Sequence, residues 1–408
     1  MSDISPMPAG DRVDAIDAFR GFALAGIVLA HMVEQYVGAM APEELILAFN
    51  ASLLDKIIQG LMYAFVVGKF FALFSFLFGL SFFLQMDRAA SRGSNFRGRF
   101  LWRLTILLVI GLVHSLFYRG DILSIYAPLG FVLVLFYNVR SSVLFALAAI
   151  IIAGAGRYIV FALNGNDPLL PFGDATPDLP YNAAYFEALQ NGSLWDVFVS
   201  NATYGHFTKM EFQVGYFGRW YLTFAFFLLG LWAGRFRLFQ RIDELHKPLK
   251  KALWLAVACT VVFLAAAIFL FASNSVEGEG PQFDRWGTMF ALTAFDLYNV
   301  SLSVIYLCTF LLIFRRPGGE RRLGKLAPYG RMALSNYFMQ SLIGTFILYN
   351  WGLGYIGKIS NTDTFVIALF IIAFQVVVSA WWLKRFRFGP LEWLWRSGTY
   401  LKWQPMRK

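Results

Sequence analysis

Cysteine is almost missing from this chain, with two in 408 residues. Cys259 and Cys308 both lie inside apolar runs without CxxC spacing, so neither a disulfide framework nor a thiolate metal cluster is indicated. They read as two small buried side chains. Histidine is nearly as scarce, and the four present are too scattered for a metal site. Charge is thin as well, at 15% of residues, against 58% hydrophobic and 18% aromatic. Water cannot solvate such a composition as a globule. No Walker phosphate loop, dinucleotide fingerprint, HExxH zinc pattern or GxSxG elbow occurs.

What the chain has instead is long apolar spans. A window of about 20 residues predicts ten, at 15–37, 66–86, 100–118, 121–139, 143–163, 214–235, 251–273, 287–314, 331–350 and 364–383. The expected fold is an all-α, polytopic membrane helical bundle forming one integral domain over 1–408. The net charge of +10 does not point to nucleic acid, because the basic residues cluster beside the apolar spans where they orient helices. Placing both termini in the cytoplasm puts most of the 35 Lys and Arg, from Arg12 onward, on the inner side. The loop with Glu277, Glu279 and Asp284 is then outside. Without a basic n-region or a cleavage pattern, the first span is expected to be a retained anchor. The expected location is the cell membrane, multi-pass, with lipids as obligatory partners and either one copy or a homodimer as the unit.

The segment 164–213 is the one long extramembrane stretch and should form an outer cap. Its middle, from Tyr181 to Phe198, is expected as one amphipathic helix over the cavity mouth, with Asp196, Tyr204 and His206 as polar candidates. A surface-lying cover without chemistry is the simpler explanation of it. The tail 388–408, with Trp393, Trp395 and Trp403 among basic residues, reads as an interfacial amphipathic helix on the cytoplasmic side.

The first span carries charges where lipid forbids them. At about 100° per residue, Asp17, Arg20, His31, Glu34 and Gln35 share one arc. Arg20 and His31 stand about 16 Å apart along the axis, yet face the same way. A charge at mid-bilayer costs on the order of 2.5–3.5 kcal/mol, so such groups face protein or a wet cavity. Two readings stand. Arg20 snorkels and His31 bonds a neighbouring helix, or the stripe lines a reaction or transport cavity in which Glu34 orients His31. The third span repeats the layout, with ten residues between Arg103 and His114 as between Arg20 and His31.

Asp121 follows His114 across the turn YRGD, and Lys69 and Asp296 reach a similar depth. His31, Glu34, Lys69, His114, Asp121 and Asp296 are therefore expected as one acid-base layer, with Lys69–Asp296 alternatively a structural ion pair. In the ninth span Asn336 and Gln340 share a face, as helix glue or as donors to a ligand.

Five stretches, DAFRGFALAGIVLAH, KFFALFSFLFG, IGLVHSLFYRGDILSIYA, GRMALSNYFMQSLI and GPLEWLWRSGTY, resemble the YeiB-like bacterial membrane proteins that carry domain of unknown function 418. More widely, the arginine, ten residues, then histidine pattern of Arg20 and His31 is similar to that of acyltransferase family 3 and of the transmembrane acetyltransferases. That resemblance implies transfer of an acetyl or other acyl group from cytoplasmic acyl-CoA to a hydroxyl or amine acceptor outside, such as a cell-envelope glycan. It makes His31 the catalytic histidine and Arg20 a residue lining the acyl-CoA path. Arg103 would then help bind the phosphates, Asn336 and Gln340 would contact the cosubstrate, and His114 with Asp121 would bind the acceptor or act as a second acid-base pair. No metal is implied. The rival reading is a proton-coupled transporter of a small anionic solute, although no pair of broken half-helices is evident in the sequence; a non-catalytic scaffold is the third.

Overall fold

A computed structural model describes residues 14–37, 41–91, 96–166, 180–215, 217–278 and 280–408. Arg12, Glu279 and the stretch 167–179 of the expected cap lie outside them. The described chain is helical apart from two two-residue strands, Ser275–Val276 and Gly280–Pro281. The helices are α1 (Asp14–Val33), α2 (Glu43–Phe49), α3 (Leu53–Phe65), α4 (Phe70–Ser91), α5 (Arg97–Phe117), α6 (Leu123–Leu135) and α7 (Ser141–Ile152). There follow α8 (Ala155–Leu163), α9 (Pro180–Asn191), α10 (Leu194–Ala202), α11 (Tyr204–Val214), α12 (Arg219–Arg235), α13 (His246–Ser273) and α14 (Trp286–Phe314). The last five are α15 (Gly319–Leu323), α16 (Ala327–Arg331), α17 (Ala333–Leu348), α18 (Asn361–Arg385) and α19 (Pro390–Tyr400).

Each expected span coincides with helix, and the protein is an all-α membrane bundle. Six helical stretches are long and apolar enough to cross a bilayer by themselves, or eight when each of two bent pairs counts as one span. The two further expected spans, α6 and α17, have 13 and 16 residues, shorter than a straight helix crossing a bilayer about 30 Å thick. The bends are 52° between α7 and α8 and 58° between α11 and α12. Gly154, at φ +96°, makes the first. Broken helices that the sequence did not reveal are therefore present.

The expected single cap helix is two. Gly192 and Ser193 interrupt it, and the Ser193 side chain caps α10 in a reciprocal box with Asp196. The hydrogen bonds from Ser193 hold the Asp196 carboxyl below its ordinary range. Asp196 is thus a structural cap.

Close crossings set the bundle. A Cβ at Gly230 of α12 would lie 2.0 Å from the Phe76 carbonyl oxygen, and one at Gly79 of α4 would lie 2.1 Å from that of Phe227. Backbones touch there as small residues allow. Gly230→Val is expected to lower the thermal unfolding midpoint of detergent-purified protein through overpacking of about 1–3 kcal/mol or more. An unchanged midpoint would contradict this crossing.

Candidate functional site

The polar stripe of the first span is divided by the fold. α1 ends at Val33, and Gln35 and Tyr36 take left-handed backbone angles, φ +46° and +57°. The 100° rotation stops there, so Gln35 leaves the arc, while the Glu34 amide still bonds the Ala30 carbonyl at 2.9 Å. Gln35 donates to the Ile359 carbonyl at 2.9 Å. Among the described residues Glu34 makes no hydrogen bond to His31, and the cation acting on it is Arg219. Glu34 does not orient the imidazole.

Arg20 faces a cavity of about 380 Å³. Asp17 at 2.7 Å and Ser81 at 3.0 Å hold its guanidinium. Arg88, Arg103, Arg331 and Arg396 line the same space, with Asp17 and Glu392 as its carboxylates. Five guanidiniums against two carboxylates make a chamber for an anion. The expected interfacial tail is one wall of it. Trp395 donates to the Arg103 carbonyl at 2.8 Å, Trp102 donates to that of Gly398 at 3.0 Å, and the Arg103 guanidinium stacks 3.5 Å from the Trp395 ring centre. Glu392 accepts from the Leu334 and Ser335 amides at the start of α17. Burial pushes its carboxyl up, against the pull of those bonds.

The deep end of the chamber is formed by Leu123, Tyr126 and Tyr337. Behind Tyr337 lies the best-formed acid-base pair. Gly111, where a Cβ would sit 2.5 Å from the Ser124 amide nitrogen, lets α5 touch the start of α6. That contact sets His114 Nδ1 2.7 Å from Asp121 Oδ1, both side chains fully buried. Asp121 also accepts from the Leu123 and Ser124 amides at 3.2 and 2.8 Å, and Lys209 Nζ stands 3.8 Å away. A carboxylate so supplied with donors accepts from Nδ1–H, which leaves the Nε2 lone pair for chemistry. Nε2 is buried and has no partner among the described residues.

His31 belongs to the same neighbourhood. Its ring lies 5.0 Å from Tyr118, 5.4 Å from Tyr36 and 6.4 Å from Tyr337, whose other neighbour is His114 at 4.9 Å. His31 Nδ1 has no partner among the described residues. The arginine chamber does not include His31, so the expected continuous passage from Arg20 to His31 is interrupted at Tyr337.

The rest of the expected layer is arranged differently. Lys69 and Asp296 are not an ion pair. Lys69 donates to the Tyr63 and Val67 carbonyls at 2.6 and 2.9 Å and sits over the Tyr298 ring. Asp296 pairs with Arg157 from α8, with Arg219 at 3.9 Å. Of the two amides, Asn336 is glue, donating to Ser379 at 2.9 Å and to the Tyr329 carbonyl. Gln340 is fully buried, and neither side-chain polar atom has a partner among the described residues. Tyr337, Lys209, Arg157, Arg219 and Glu392 were not singled out from sequence. A signal existed only for Glu392, inside the Trp- and Arg-rich tail.

Residues 233–402 match the family described as Protein of unknown function (DUF418). The chain is 30% identical over 430 residues to Uncharacterized protein YxaH of Bacillus subtilis strain 168, covering all of this chain and 99% of that one. It belongs to the YeiB-like, DUF418 family. Uncharacterized protein YeiB of Escherichia coli K12 is 26% identical, over 95% of this chain and 96% of its own length. An uncharacterized 39.9 kDa protein in the amylase 3' region of Bacillus acidopullulyticus is 27% identical over 97% of this chain. The match to the family takes in Tyr337 and Glu392 of the YeiB-like chain, while the likeness to YxaH spans His31, His114 and Asp121 as well.

Proposed function

We propose that this YeiB-like protein is a membrane acyltransferase that takes an acyl group, such as acetyl, from acyl-CoA on the cytoplasmic side. The acceptor is a hydroxyl or amine on the far side. The observation that carries the reading is the arginine chamber ending on Tyr337, whose ring packs against the His114–Asp121 pair. The chamber suits the phosphates of a CoA. The positive-inside bias supports a chamber mouth on the cytoplasmic side of the cell membrane we propose as its location. In the reaction the acceptor oxygen or nitrogen bonds to the thioester carbonyl carbon, the carbon–sulfur bond breaks, and the acceptor proton passes to His114 Nε2 and on to the CoA thiolate. Asp121 orients the ring and stabilises the imidazolium. This reading makes His114 the base in place of His31, because His114 holds the carboxylate partner that Glu34 does not supply to His31. Motion of the Tyr337 ring joins the donor chamber to the imidazole. Asn336 acts structurally, and Gln340, buried and outside the lining of the chamber, has no contact with an acyl-CoA bound there.

Purified protein incubated with acetyl-CoA and cell-envelope glycan or lipid extract should release free thiol, and Arg103→Ala should raise the KM for acetyl-CoA with a smaller effect on kcat. No thiol above a protein-free control would overturn the reading. The bent helices α7–α8 and α11–α12 support the transporter as the second reading, since discontinuous helices line transport sites. Against it, the charges beside those bends, Arg157 and Asp296, neutralise each other. Solute counterflow in liposomes tests it.

A further inference from the structure

A second pocket, of about 500 Å³, lies beyond the acid-base pair at the other end of α5. The arginine chamber touches α5 from Phe100 to Leu107, whereas this pocket touches it from Leu112 to Leu116. α6 is the partition. Leu123 and Tyr126 face the chamber, while Ser124, Ile125 and Pro128 face the second pocket. The floor carries Lys209, which donates to Ser124 Oγ at 2.6 Å and approaches Asp121, and Arg119, whose guanidinium stacks 4.3 Å from the Tyr185 ring centre. Both are buried in the pocket wall, and the Asp121 carboxylate lies 3.8 Å from Lys209.

The rim has the opposite character. Leu112 and Val113 are 52% and 47% exposed on a helix long and apolar enough to span the bilayer. Leu112 lies about 8 Å inside the end of that helix. The pocket therefore opens sideways into hydrocarbon. A water-soluble sugar would have to leave water to reach it, but a lipid reaches it by lateral diffusion, with its chains along Leu112, Val113 and Trp220. A buried ammonium and guanidinium at the inner end select an anionic head group.

We propose that this lateral pocket binds a phosphate-headed anionic lipid of the outer leaflet. Binding stands by itself. If the acyl-transfer reading is right, the lipid is also the acceptor, because a hydroxyl or amine beyond its phosphate would lie next to Lys209 and Asp121.

The test is lipid retention. Protein carried from a mixed detergent micelle holding equal dioleoylphosphatidylglycerol and dioleoylphosphatidylcholine into native mass spectrometry should keep the phosphatidylglycerol by about tenfold. Lys209→Ala should abolish the preference, Lys209→Arg should keep it, and Val113→Trp at the lipid-facing rim should reduce retention of both lipids. Equal retention of the two lipids by the native protein would overturn the proposal. So would a preference unchanged by Lys209→Ala and Val113→Trp, or competition by glycerophosphoglycerol, a head group without chains, as strong as that by the lipid. Selective retention without thiol release from acetyl-CoA would sink the enzymatic reading and leave the lipid site standing.

Discussion

Replacing His114 with alanine is expected to lower thiol release from acetyl-CoA by about 10²–10⁴-fold, the usual contribution of a positioned general base. The expectation rests on one geometric fact. His114 has an oriented Nδ1, 2.7 Å from Asp121, and an Nε2 without a partner among the described residues, whereas Glu34, the partner expected for His31, makes no hydrogen bond to it. Asp121→Asn should cost less, because an amide still holds the ring but no longer stabilises its charged form. His31→Ala is the informative companion. A full loss there, with His114→Ala near the native rate, would exchange the two roles.

Asp296→Ala is expected to destabilise the protein by about 3–5 kcal/mol, read as a fall in the unfolding midpoint in detergent. The carboxylate accepts from Arg157 and draws Arg219 from two helices that follow bends in the bundle. Arg157 is also held by Thr293 at 2.7 Å and by the Phe217 carbonyl at 3.2 Å, so the guanidinium cannot leave for water when its counter-charge is removed. The stranded cation is what costs, more than the lost bond. Asp296→Asn should lose less, by keeping the hydrogen bond while losing the charge. A midpoint unaltered in Asp296→Ala would mean that water reaches this cluster, and would strengthen the transport reading.

The depth at which each polar group sits was legible in the sequence, because a helix converts residue number into distance at about 1.5 Å per residue. That arithmetic put Arg20 and Arg103 near one face and His31 and His114 near the other, and both arginines do meet in one chamber. It also brought Asp121 close to His114, seven residues on across a short turn. It failed at Gln35, where the helix had already ended. It failed too for Lys69 and Asp296, which share a depth without sharing a face.

The sequence by itself determined that this chain is a helical membrane bundle of the YeiB-like kind, and which helices carry charge into it. Hydropathy and charge act along one dimension, and the bilayer imposes them locally. The tertiary structure alone decided who meets whom. It joined Arg157 to Asp296 across 139 residues, made a chamber wall of the Trp-rich tail, and set Tyr337 between two histidines. Those outcomes depend on how each helix is rotated and where backbones cross, as at Gly111 and Gly230. Rotation and crossing follow from the packing of distant side chains, which no local pattern records.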